Sequence, residues 1–180
     1  MRYRKITAKT LILGVGNTLL SDEGAGIHAL NQLQSYYPDN PQLTFLDGGT
    51  LSFTLAVWIE ECSHLIVFDA AKLDQPAGTV KSFVGPAMDD FLGTSKHSAH
   101  EVGLLDLMDI ARLTGHLPEK RALIAIQPEK LDWGTEPTPA VKSALNEAVN
   151  EAVLLIKQWH GLMPIQNIVT TKGAEINSVF

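Results

Sequence analysis

The sequence predicts an α/β fold: one domain, a three-layer α/β/α sandwich around a mostly parallel, twisted sheet of about five strands. Three observations predict it. Short apolar runs at Leu11–Val15, Leu43–Leu46, His64–Phe68 and Ala122–Ile126 alternate with stretches of helical periodicity, the pattern of strands joined by helical crossovers. The runs give way to Gly16-Asn17, Asp47-Gly48-Gly49, Asp69 and Gln127-Pro128, where a chain leaving a sheet must turn. At 180 residues the chain is long enough for one hydrophobic core and short for two.

The first run feeds a glycine-bearing turn, Gly14-Val15-Gly16-Asn17. Ser21 then has the character of a helix cap, with Asp22 and Glu23 in the first turn, where carboxylates complement the helix dipole. Ile27, Leu30, Leu33 and Tyr37 share one helical face, and Pro38 stops the helix. After the second strand, Leu51 to Glu61 has the spacing of a second helix. The third strand is rich in β-branched and aromatic residues and ends at Asp69. Thr79 to Val84 alternates, as an edge strand or half of a hairpin does. Gly85 to Ser98 carries Gly, Pro and polar residues and reads as a loop with at most one short helical turn. Helical spacing returns from His100 to Thr114, and Gly115 ends it. Beyond the strand Ala122–Ile126, the loop Gln127–Thr138 leads to Thr138-Pro139, a cap followed by proline at the first helical position. The last helix runs to about His160 with Val141, Leu145, Ala148, Ala152 and Ile156 on one stripe. Residues 1–160 are expected to form the domain, and 161–180 a tail that is mobile or loosely docked.

Hydrophobic residues make up 45% of the chain and charged residues 19%, a balance that favours a packed fold over disorder. The net charge of −6 and the scattered acidic side chains leave no basic stripe for a phosphate backbone, so nucleic acid is not an expected partner. The basic residues near the start are followed by a strand-like run, not a signal-peptide apolar region, and no apolar stretch is long enough to cross a bilayer. A cytoplasmic protein without membrane insertion is expected. The single cysteine, Cys62, fits a reducing compartment and reads as core filling. Nothing in the sequence fixes the oligomeric state; a monomer is the working expectation.

In an open parallel sheet, ligands gather at the carboxyl ends of the strands. Glu23 follows the first strand, Asp69 ends the third and His100 opens a helix, so three residues distant in sequence are placed to meet in one cleft. Two carboxylates and an imidazole suit a divalent transition ion, nickel or zinc, and leave coordination positions open. Plainer readings stand beside this one: Glu23 favours a helix N-terminus, Asp69 terminates a strand, and His100 is a solvated cap. His97-x-x-His100-Glu101 does not match the zinc-protease arrangements, so His97 is set aside as a loop residue. His28, His64, His116 and His160 read as surface residues. The third glycine of a dinucleotide fingerprint, the phosphate-loop Gly-Lys-Ser/Thr and a Gly-x-Ser-x-Gly elbow are all missing.

The blocks Gly14-Val15-Gly16-Asn17-Thr18-Leu19-Leu20-Ser21-Asp22-Glu23-Gly24-Ala25-Gly26, Leu46-Asp47-Gly48-Gly49-Thr50, Leu65-Ile66-Val67-Phe68-Asp69-Ala70 and His100-Glu101-Val102-Gly103-Leu104 resemble, in order, the nickel-iron hydrogenase maturation endopeptidases. Gln127-Pro128 and Trp133-Gly134 through Pro139 look like that family's late loop. The resemblance implies an endopeptidase, sometimes classed as aspartic-type. It would clip the C-terminal extension from the precursor of the hydrogenase large subunit after nickel insertion. It implies that Glu23, Asp69 and His100 bind metal, the nickel presented by the substrate, with Asp69 and Glu23 as the candidate catalytic carboxylates; no organic cofactor is implied. Two rival readings explain the ordered blocks less economically: a nickel-binding chaperone of the precursor, and a metal-dependent peptidase with its own permanent ion. The loops Gly85–Ser98 and around Trp133 are either the walls of a groove for the substrate tail or ordinary surface connections.

Overall fold

In the computed structural model, which describes residues 9–94 and 103–165, one sheet contains β1 Thr10–Gly14, β2 Leu43–Asp47, β3 His64–Ala70, β4 Val80–Val84 and β5 Lys120–Ile126. The spatial order is β2-β1-β3-β5-β4, parallel throughout except for β4, which pairs antiparallel with β5 at the sheet's edge. The helices among the described residues are α1 Ala25–Tyr36, α2 Ala56–Glu61, α3 Pro86–Thr94, α4 Leu104–Leu113 and α5 Pro139–His160.

Alternate strand residues point to opposite faces, and both faces are covered. Ile12, Ile66, Phe68, Ile124 and Ile126 pack with Leu30 and Leu33 of α1 and with Ala148, Ala152 and Ile156 of α5. Leu11, Leu13, Leu65, Val67 and Leu123 face the other way, onto Ile59 of α2 and Leu107, Met108 and Ala111 of α4. That is why the central strands read as unbroken apolar runs. Each fully buried Leu, Ile, Val or Phe contributes about 1.5–3 kcal/mol, so these two layers supply most of the force that closes the sandwich.

The helix ends follow their local chemistry. Gly161 takes φ 70° and returns its N–H to Lys157 O at 2.8 Å, ending α5. Gly115, at φ 77°, ends α4 in the same way, with His116 N bonding back to Ala111 O at 2.8 Å.

Four expectations are corrected. Residues 86–94 of the expected loop form α3. Gly85 at φ 58° turns the chain and Pro86 starts the helix. Met88 is then fully buried, and Arg121 on β5 grips Asp89 with two prongs, Nε to Oδ1 at 2.9 Å. Leu51 to Glu61 is not one helix: Leu51 sits at φ 64°, a 3-10 turn spans Phe53–Leu55, and α2 begins at Ala56. Ser21 makes no capping bond. At φ 48° it opens a 3-10 turn, Ser21–Gly24, and α1 starts only at Ala25. His64 is buried, not on the surface, and lies against Trp159 and His160. Of the expected tail, residues 161–165 are described, with Ile165 N donating to Tyr36 O at 3.0 Å; the rest lies outside the described residues.

Candidate active site

α1 carries the chain from β1 to β2 on one face of the sheet, and α2 carries it from β2 to β3 on the other. The direction in which strands are added therefore reverses between the parallel neighbours β1 and β3, and that junction leaves a crevice at the carboxyl ends of the two strands. The backbone there is drawn in close. A Cβ on Gly26 would stand 2.2 Å from Val15 O and 2.4 Å from Phe68 O, so only glycine lets the start of α1 descend onto both strand ends. Gly16, at φ 138°, would place a Cβ 1.8 Å from Glu23 O, so the turn after β1 and the turn holding Glu23 are stacked directly on each other. Gly16 N donates to Gly49 O at 2.8 Å and Gly48 N to Gly14 O at 2.8 Å, which brings the Asp47-Gly48-Gly49 turn to the same edge.

Asp69, the next-to-last residue of β3, lies in this crevice at 5% exposure. Strand alternation sets it on the face of Leu65 and Val67, beneath the layer of α2 and α4. Its Oδ1 is buried and has no hydrogen-bond partner among the described residues. Burial pushes the carboxyl up to about 8; a hydrogen bond from the Ala70 backbone pulls it down and the nearby Glu23 carboxylate pushes it up further. Two carboxylates thus share one crevice, and a buried oxygen with nothing to accept from is an expensive arrangement for a merely structural side chain.

The third expected site residue, His100, lies outside the described residues, as does His97. The topology still bears on the region. α4 ends beside the start of β5, so its N-terminal end, Gly103-Leu104, is directed toward the carboxyl edge on the face of Asp69. Gly103 N is held by Asp106 Oδ2 at 2.8 Å. Among the described residues, no three His, Cys, Asp or Glu side chains form a group that could hold a metal ion.

Asp22, the neighbour of Glu23, has a different role from it. It is fully buried and its carboxylate accepts four hydrogen bonds: from Glu129 N at 2.9 Å, Lys130 N at 2.9 Å, Thr138 N at 2.6 Å and Thr138 Oγ1 at 2.9 Å. Thr138, expected to cap α5, spends its hydroxyl on Asp22 instead. Alongside, Ser21 N donates to Gly134 O at 2.7 Å and Gly134 N to Leu19 O at 3.0 Å. The loop after β1 and the loop after β5 are thereby zipped into one wall that positions Glu23. No sequence signal finds this clamp, because its donors are mostly backbone amides more than a hundred residues away.

Other features lie apart from the crevice. A cleft of about 510 Å³, lined by Asn31, Gln34, Tyr37, Asn40, Leu43 and Phe45, opens between the end of α1 and the start of β2, toward the amino end of the sheet. Cys62 fits its expected role: its thiol donates to Ile59 O at 3.2 Å and burial pushes it up to about 11, far from a nucleophilic thiolate.

The comparisons with known proteins agree with this architecture. A family profile described as hydrogenase maturation protease matches residues 27–154. The chain is 35% identical over 168 residues to the hydrogenase expression/formation protein HoxM of Cupriavidus necator, covering 93% of this chain and 83% of that one. It is 31% identical to the hydrogenase 2 maturation protease of Escherichia coli, covering 83% of this chain and 92% of that one. Among solved structures, the hydrogenase maturating endopeptidase HybD from E. coli superimposes with a TM-score of 0.78 at 30% identity, over 84% of this chain and 94% of that one. The [NiFe] hydrogenase maturation protease HybD from Thermococcus kodakarensis does so with a TM-score of 0.69 at 29% identity, over 82% of this chain and 98% of that one. With the fold, the order of motifs and the sequence likeness all in agreement, the chain belongs to the hydrogenase maturation proteases and is a peptidase.

Proposed function

We propose that this peptidase removes the C-terminal extension of a nickel-iron hydrogenase large-subunit precursor after nickel has been inserted, working in the cytoplasm. In this reading Glu23, Asp69 and His100 grip the nickel that the substrate presents. The observation that carries the reading is Asp69: a buried carboxylate with an unpaired oxygen, beside a second carboxylate, in the crevice between β1 and β3. A divalent cation entering that crevice would supply the missing partner for Asp69 and offset the repulsion from Glu23.

Gripping the substrate's own nickel would do two things at once. It would admit only precursors in which the ion is already in place, and it would hold the scissile peptide against the site so that attack by water is an intramolecular event. The water is polarised by the cation or by a carboxylate. A carboxylate that ligates a cation stays ionised and is a weaker base than a free one, so ligation and proton abstraction fall more naturally to different side chains than to Asp69 alone.

The test is an incubation with nickel-loaded precursor, read by intact mass. The native protein should remove the extension, and His100→Ala and Asp69→Ala, if folded, should slow removal by about a hundredfold or more. Precursor without nickel should stay intact; rapid cleavage of it would end the checkpoint idea. A chaperone would instead give a stable complex and no change in mass.

A further inference from the structure

The wall beside Glu23 carries an exposed apolar surface that the chemistry of the crevice does not use. Trp133 is 81% exposed, and Leu131 and Leu19 are each about half exposed. They sit on the two loops that Asp22 clamps, and Leu20 and Gly134 form a short parallel bridge between those loops. Buried hydrogen bonds therefore fix the backbone that presents three apolar side chains to water. A loop serving only as a connection gains nothing from a tryptophan held out in this way.

The charges around the patch point to the same kind of partner. Lys130 pairs with Asp132 at 3.5 Å and Lys142 with Glu136 at 3.2 Å. Charged side chains of this loop thus pair locally, and what the loop leaves to a partner is apolar area framed by polar groups. That is the anatomy of a protein-binding hot spot, a rigid aromatic anchor inside a polar ring. The patch is continuous with the segment that holds Glu23: Leu19 lies four residues before it, in the loop that leads into its turn. A polypeptide whose scissile bond sits over Asp69 has to leave the crevice across one of its walls.

We propose that Leu19, Leu131 and Trp133 form a docking platform for an extended, apolar segment of the protein substrate next to its cleavage point, and that this platform sets affinity for the precursor independently of the cation. The proposal rests on the proteolytic reading given above, and it adds a second recognition element to it. Substrate selection then has two parts: the ion answers whether the precursor is ready, and the platform answers whether it is the right protein.

The experiment compares cleavage kinetics of nickel-loaded precursor by the native protein, Trp133→Ser, Leu131→Ser, Trp133→Phe and Leu113→Ser. Leu113 is 88% exposed at the far end of α4 and serves as the control for a lost surface hydrophobe. Trp133→Ser should raise KM at least tenfold with kcat within twofold and an unchanged melting temperature. Leu131→Ser should raise KM by a smaller factor, Trp133→Phe should restore most of the affinity, and Leu113→Ser should behave as native. Titration with nickel-free precursor, which is not expected to be cut, should change the tryptophan emission of the native protein and leave that of Trp133→Phe almost unchanged. A native KM for Trp133→Ser, or a loss confined to kcat, overturns the platform while leaving the peptidase assignment intact. A native protein that never changes the precursor's mass sinks the proposed reaction, and the emission titration still decides the platform.

Discussion

Asp22 and Asp69 are buried carboxylates at the same edge of the same sheet, and they have opposite surroundings. Asp22 accepts hydrogen bonds from three backbone amides and one threonine hydroxyl, and it ties together segments that are more than a hundred residues apart. Asp69 keeps a buried oxygen without a donor and feels a second carboxylate nearby. A buried carboxylate whose hydrogen bonds are satisfied is the mark of a structural part, and a buried carboxyl that lacks a partner and resists ionisation is poised for a ligand that supplies one. Under the proposed function these two aspartates divide the work at this edge: Asp22 holds the wall, and Asp69 meets the cation that the substrate brings.

The sharpest way to break that division is to neutralise each in turn. Asp69→Asn keeps the shape and removes the group that can ionise against the substrate's cation, so cleavage of nickel-loaded precursor should fall by about a thousandfold, roughly 4 kcal/mol of transition-state stabilisation. Its melting temperature should stay close to the native value at neutral pH, because burial already holds most of the Asp69 carboxyl in its neutral form and the amide replaces one neutral group with another. Asp22→Ala should do the reverse. Leaving the amides of Glu129, Lys130 and Thr138 without their acceptor costs about 3 kcal/mol, or a melting temperature lower by roughly 6–12 °C in a chain of this size. Thermal unfolding of both variants decides the matter: an Asp69→Asn protein that melts far below native, or an Asp22→Ala protein that melts with it, would show that the roles are not divided as described.

The two residues also differ in how far sequence could see them. Asp69 is legible because it ends an apolar run, and a charged residue at the carboxyl end of a buried strand has few structural reasons to be there. Glu23 is legible by its place after the first strand. The sheet, its edge strand and the long last helix follow from periodicity, which is a local property. The clamp at Asp22 is not legible, because its partners are backbone amides that carry no residue signature and are brought near only by the completed fold. α3 was hidden for a related reason: Gly85 and Pro86 look like loop chemistry, whereas they serve as the turn into a helix and its first residue, and the buried contacts of Met88 that decide the matter are tertiary. His64 was misjudged as surface because its burial depends on Trp159 and His160, nearly a hundred residues on.

The amino edge of the sheet extends the comparison, and there the expected effect is smallest. His160 Nε2 lies 2.5 Å from Thr10 Oγ1 and 3.3 Å from His64 Nδ1, so this partly buried polar cluster satisfies itself, as Asp22 does and Asp69 does not. Burial lowers the pKa of His64, and the charges of His160 and Lys120 lower it further against an opposing pull from Glu119; burial and Lys120 lower that of His160. In the unfolded chain both return to about 6.5, so below that pH the unfolded state binds more protons than the folded one. Their contribution to stability is therefore complete above about pH 6.5 and declines as the pH falls through 6.5 toward the lower folded values. Asp69, whose folded pKa is raised, tilts the other way, so the useful quantity is the difference between two proteins at each pH. Denaturant midpoints at pH 7.5 and 5.5 should show the native protein losing more stability on acidification than a His64→Gln/His160→Gln double variant, whose amides cannot take up a proton. Equal losses would mean that protonated imidazoles are accommodated at the amino edge. That edge would then no longer be a closed, self-satisfied cluster to set against the open one at Asp69.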